Sequence, residues 1–186
     1  MNIEIEIKVK IDSFDLLKNN LLKLGKSIKS IKQIDEYYTP CHRDFFAPKN
    51  PTEWLRIRTN PDGAIFEYDK SINMRENGQQ DCAQEYETEI RQADELRKIL
   101  EFLDFKKVII VEKQREYWDC ENFEVVLDEV NGLGYFVEVE LKENCDDAML
   151  GRQKCIEFLG KLGIIIYEND IIKSGYPVLL MNVKNN

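Results

Sequence analysis

The sequence predicts an α+β fold in which eight antiparallel strands close into a β-barrel flanked by a few helices. Three observations carry this expectation. Residues 2–11 alternate strictly, with Ile3, Ile5, Ile7, Val9 and Ile11 on one face and Glu4, Glu6, Lys8 and Lys10 on the other, which is the period of a strand. Seven further strand-like runs follow, several joined by short turns. Helical stripes are few, and an even number of hairpin-linked strands removes its unpaired edges by closing.

The elements can be justified in chain order. After the first strand, Ser13 reads as the N-cap of a helix carrying Phe14, Leu17, Leu21 and Leu24, with Gly25 at its left-handed end. A basic, Ser-rich connection, 26–33, comes next. Strands are expected near 34–39, 53–59 and 62–70, the last two turned by Asn60-Pro61-Asp62-Gly63. Residues 72–83 read as a mobile polar loop before a strand at 84–90. A helix near 92–104 carries Leu96, Ile99, Leu100 and Leu103. Three strands at 106–118, 121–131 and 134–142 precede a helix at 146–162 and short helical pieces.

Composition bounds the function. The chain has 186 residues and no linker-like stretch, which reads as one domain spanning 1–186. Hydrophobic residues at 43% and charged residues at 33% are a globular balance, and no apolar run is long enough to span a membrane. The N-terminus offers no secretory pattern, and the five cysteines Cys41, Cys82, Cys120, Cys145 and Cys155 form no CxxC pair. A cytoplasmic protein with reduced thiols is therefore expected. A net charge of −9 disfavours nucleic acid and anionic membranes as partners.

The charged faces are the unusual feature. On one strand, alternating charge is most simply a solvated face. Here it recurs: Arg56 with Arg58, Lys113 with Arg115, Glu138 with Glu140, and Glu85 with Glu87 and Glu89 are each two apart among apolar neighbours. If the apolar faces pointed inward, the helices would have no apolar sheet surface to cover, so the charges are expected inside. Burial then demands pairing or a ligand. Arginines and lysines clamp phosphate oxygens, and carboxylates hold hard cations. A metal–polyphosphate complex needs both.

These residues carry a resemblance. Glu4-x-Glu6-x-Lys8 is similar to the ExExK signature of CYTH domains, the triphosphate tunnel metalloenzymes. Asp35-x-Tyr37-Tyr38, Leu55-Arg56-Ile57-Arg58, Lys70, Glu85-Tyr86-Glu87, Lys113-x-Arg115, Asp128 and Glu138-x-Glu140 follow in the family's order. The stretches at 41–46, 111–115 and 128–134 look most like the class IV adenylyl cyclase branch. In two places the chain departs from the pattern. Ala83 stands where an arginine is frequent two residues before Glu85, and a Ser-Tyr pair appears as Ser174-Gly175-Tyr176.

The resemblance implies roles. Glu4, Glu6, Glu138 and Glu140 would be ligands to Mg²⁺ or Mn²⁺, with Asp128, Glu85 and Glu87 as second choices. Lys8, Arg56, Arg58, Lys70, Lys113 and Arg115 would bind the triphosphate, with Lys8, Lys113 and Arg115 also serving catalysis. The sole histidine, His42, is expected to serve the surface or packing rather than catalysis. The substrate class is ATP, inorganic triphosphate or thiamine triphosphate. Class IV-type cyclisation of ATP to cyclic AMP and pyrophosphate is preferred over triphosphate hydrolysis, and a non-catalytic nucleotide or polyphosphate binder is a third reading. A homodimer is an expectation from the resemblance alone.

Overall fold

The computed structural model describes residues 5–74, 80–143 and 147–184, with the backbone alone described at 72–74, 80–83 and 148. The strands are β1 (Glu6–Ile11), β2 (Lys26–Pro40), β3 (Glu53–Asn60), β4 (Gly63–Met74), β5 (Gln80–Ile90), β6 (Phe105–Cys120), β7 (Phe123–Val130) and β8 (Gly134–Leu141). The helices are α1 (Asp15–Leu24), α2 (Ala93–Phe102), α3 (Ala148–Lys161) and α4 (Tyr176–Lys184), with a short 3₁₀ turn at Glu168–Asp170. The strands form one eight-stranded antiparallel sheet in the order β1-β8-β7-β6-β2-β3-β4-β5. That order has β1 and β5 at its ends, so the pairing among the described residues does not include the β1–β5 ladder a closed barrel requires.

Four local expectations are revised. The connection expected at 26–33 is the first half of β2, whose residues 26–30, Lys26 and Lys29 among them, are exposed. Within the loop expected at 72–83, residues 72–74 and 80–83 are strand, because β4 and β5 remain paired out to Met74 opposite Gln80; 75–79 lie outside the described residues. Phe14, not Ser13, occupies the N-cap of α1. Gly25 is extended (φ −167°, ψ −165°) rather than left-handed, and a Cβ there would collide with Asp119 O and Cys120 Sγ.

The chain forms two compact units. The first comprises residues 1–31 and 113–173. In it Ile7 and Val9 of β1, Val137, Val139 and Leu141 of β8, and Val125 and Leu127 of β7 form the apolar face. Leu17 and Leu21 of α1 and Cys155, Phe158 and Leu159 of α3 complete that core. Asp147 caps α3, accepting from Met149 N and Leu150 N. Alternation then sends Lys8, Glu138, Asp128 and Arg115 to the face away from the helices.

The second unit comprises residues 32–112 and 174–186. Here Tyr38, Leu55 and Ile57 pack with Phe45 and with Leu96 and Leu100 of α2. The β3–β4 hairpin is closed by Asn60 Oδ1, which accepts from Asp62 N (2.8 Å) and Gly63 N (3.1 Å). One buried carboxylate lies on the helix side: Glu36 accepts from Arg97 Nε of α2 (2.7 Å), pairs with Lys107 of β6 (2.5 Å) and receives the Tyr38 hydroxyl (3.1 Å). These bonds tie helix to sheet with a fully partnered charge, as burial requires. Arg56, Arg58, Asp35 and Glu67 take the opposite face.

Candidate functional site

The first unit builds a charged network across four strands. The β1–β8 register sets Lys8 opposite Glu138, and Lys8 Nζ lies 2.9 Å from Glu138 Oε1. The β6–β7 register sets Arg115 opposite Asp128. Arg115 donates from Nε to Asp128 Oδ1 (2.7 Å) and from Nη2 to Asp128 Oδ2 (2.5 Å) and Glu138 Oε2 (2.9 Å). Asp128 is 0% exposed, and Lys113 is buried beside the set. Burial alone would raise the Glu138 carboxyl, but Lys8, Arg115 and Lys113 outweigh it and hold Glu138 well below the usual carboxylate range. Burial likewise opposes the charge on Lys8, yet Glu138 and Glu6 raise its pKa. Lys8, Lys113, Arg115, Asp128 and Glu138, all anticipated from the sequence, are therefore brought together. Glu6 and Glu140 face each other two residues along the same ladder. Glu4 lies outside the described residues.

The second unit carries a parallel network. Arg58 donates from Nε to Asp35 Oδ1 (2.7 Å) and from Nη2 to Asp35 Oδ2 (3.0 Å). Arg56 forms an ion pair with Glu67, lies 3.8 Å from Asp35, and donates from Nη1 to the Tyr37 hydroxyl (3.1 Å). Glu67 Oε2 lies 3.9 Å from Arg58 Nη1. Each unit thus has a wholly buried aspartate forked onto an arginine that reaches a buried glutamate, which meets a second cation.

The two sets differ in balance. Around Arg56 and Arg58 the carboxylates accumulate: carboxylate oxygens of Glu67, Asp69 and Glu85 all lie within 4.8 Å of one another. The Asp69 carboxyl is pushed up to about 8, first by burial and then by Glu67. Asp69 Oδ1 is buried without a hydrogen-bond partner, as are Arg56 Nε and Ser71 Oγ. An orphaned carboxylate oxygen among converging carboxylates is a donor set that could hold a metal ion. Glu87 stands opposite Glu67 in the β4–β5 register and is exposed.

Sequence reasoning missed Glu67, Asp69 and Asp35 as site residues. Lys70 was expected with the arginines, but it is opposite Glu53 in the register, its side chain 54% exposed and 3.6 Å from Glu53 Oε1. This puts it on the face away from Arg56. The signal for Glu67 and Asp69 was their spacing of two on β4, the same spacing that marked Arg56 and Arg58. Ala83 pairs in the β5 backbone with Ser71, and His42 is exposed, as expected.

The CYTH domain model matches residues 2–168. The chain belongs to the CYTH family. "Putative adenylate cyclase MJ0240" of Methanocaldococcus jannaschii is 36% identical over 184 residues, covering 94% of this chain and 96% of that protein. Among solved structures, the PH1819 protein of Pyrococcus horikoshii OT3 superposes with a TM-score of 0.78 at 28% identity, covering 96% of this chain and 98% of the other. A Hippeastrum protein, described as an adenylyl cyclase candidate with a dominant triphosphatase activity, superposes with a TM-score of 0.70 at 18% identity, covering 98% and 96%. The two solved structures share the arrangement of strands and helices seen here.

Proposed function

We propose that this CYTH protein is a divalent-metal-dependent enzyme acting on a triphosphate, and that its reaction is the class IV-type cyclisation of ATP to cyclic AMP and pyrophosphate. The observation that supports this reading is the coexistence, on faces turned from the helices, of buried cations suited to phosphate and of a carboxylate cluster suited to a hard metal. The adenylate cyclase name of the 36% identical relative supports the choice of reaction. The closed barrel, the single domain over 1–186, the cytoplasmic location and a homodimer belong to the same proposal.

Lys8, Lys113, Arg115, Arg56 and Arg58 are the proposed triphosphate ligands, with Lys8, Lys113 and Arg115 stabilising charge on the departing pyrophosphate. Lys70 remains a proposed ligand whose exposed side chain would have to reach the substrate from the other face. Glu67, Asp69 and Glu85 are the carboxylates favoured for metal, alongside the sequence candidates Glu4, Glu6, Glu138, Glu140, Asp128 and Glu87. Bound there, a divalent ion would neutralise phosphate charge and lower the pKa of an attacking hydroxyl.

Hydrolysis of a triphosphate is the second reading, because the same cations and carboxylates serve water as well as a ribose hydroxyl as nucleophile, and the Hippeastrum neighbour is described as having a dominant triphosphatase activity. The test is incubation with ATP, and in parallel inorganic triphosphate, with Mn²⁺ or Mg²⁺, followed by chromatography of the products. Cyclic AMP with pyrophosphate, lost in Glu138→Ala, is expected. Phosphate without cyclic AMP moves the function to a triphosphatase, and binding without turnover makes the protein a sensor.

A further inference from the structure

We propose that Asp35 is a positioning residue that holds the Arg58 guanidinium ready for phosphate before substrate arrives; the proposal rests on the triphosphate reading above. Asp35 sits on β2 directly opposite Arg58 and is 0% exposed, so it cannot itself reach a ligand in solvent. Its two oxygens take the Nε and one Nη2 hydrogen of Arg58 as a two-point fork at 2.7 and 3.0 Å. A guanidinium has more N–H donors than the fork uses, so the Nη1 edge and the second Nη2 hydrogen stay available for phosphate oxygens. Glu67 stands 3.9 Å from Nη1, an ion-pair separation beyond hydrogen-bond range, so it does not take that edge's donors. Fixing a rotamer-rich side chain before binding removes an ordering cost that binding would otherwise carry. Asp128 on Arg115 repeats the arrangement in the first unit, with the same fork and the same complete burial.

The sign of one substitution separates orientation from charge. Asp35→Asn removes a negative charge beside an anion-binding arginine, so on Coulomb grounds alone it would tighten triphosphate binding. Positioning predicts the reverse. Calorimetric titration of inorganic triphosphate in Mg²⁺ should show affinity weakened about 10-fold or more in Asp35→Asn, the usual cost of losing an orienting partner. The loss should largely vanish when Asp35→Asn is made in an Arg58→Lys background, because Asp35 acts through that guanidinium. Affinity unchanged or tightened in Asp35→Asn overturns the proposal, and so does a loss that persists undiminished beside Lys at 58. No binding by the unaltered protein would instead remove the triphosphate reading on which the proposal stands. If Asp35→Asn does not fold, NMR of the unaltered protein decides: Arg58 Hε should already be protected from exchange without ligand. An Hε that becomes protected only when triphosphate is added overturns the proposal.

Discussion

Lys8 Nζ and Glu138 Oε1 lie 2.9 Å apart across the β1–β8 ladder, with the second Glu138 oxygen taken by Arg115. Loss of Glu138 strips Lys8 of the carboxylate at 2.9 Å and leaves Arg115 with Asp128 alone, in a buried setting where breaking such a network is costly. Glu138→Ala should therefore destabilise the protein by about 3–5 kcal/mol in urea unfolding. A cost below about 1 kcal/mol, the range of an exposed pair, would contradict the burial described.

The same pair sets an acid limit. Glu138 is depressed in the folded protein, so its contribution is fully present above its ordinary value of 4.5 and is lost as pH falls toward the folded value. Asp69 has the opposite sign. Its folded value of about 8 exceeds the ordinary 3.8, so the folded state holds the proton more tightly and stability declines as pH rises between those values. Melting temperatures of metal-free protein should fall from pH 6 to pH 8, and Asp69→Asn should flatten that slope. An unchanged slope in Asp69→Asn would place the effect elsewhere.

Metal should compete with that proton. Mn²⁺ affinity, read by electron paramagnetic resonance of free Mn²⁺, should rise with pH up to about 8 and release a proton on binding. Glu67→Gln and Asp69→Asn should each weaken it by about 10-fold or more, whereas Glu89→Gln, further along β5, should leave it unchanged.

Two glycines make a contrasting pair. Gly25→Ala places a methyl against the Asp119 carbonyl and Cys120 and should cost about 1–3 kcal/mol. Gly160→Ala, in α3 with nothing within 4 Å of the new Cβ, should instead stabilise by about 0.5–1 kcal/mol. Thermal unfolding of both variants checks the packing of α1 and α3.

Much of this site was legible because period-two patterning on β1, β3, β6 and β8 assigns each charge to a face without tertiary information. Lys8, Glu138, Arg56, Arg58 and Arg115 were found that way. Parity became ambiguous where consecutive residues are all polar or charged. Glu67-Tyr68-Asp69-Lys70 carries charge on both faces, and only its register with β3 puts Glu67 and Asp69 on the Arg56 face and Lys70 on the other. Asp35 and Glu36 pose the same ambiguity on β2, resolved by Asp35 standing opposite Arg58. Lys26–Ile31 lacks a clean apolar alternation, and its strand character comes from its partner, as the Gln114 Nε2 to Ser30 Oγ bond of 2.9 Å shows. The charged face opposite the helices followed from the need of α1 and α2 for an apolar surface.

The most direct test of the central claim is calorimetric titration of inorganic triphosphate into the unaltered protein, once with Mn²⁺ and once with EDTA. Saturable binding with Mn²⁺ that is strongly weakened in EDTA is expected. Absence of binding under both conditions would contradict it.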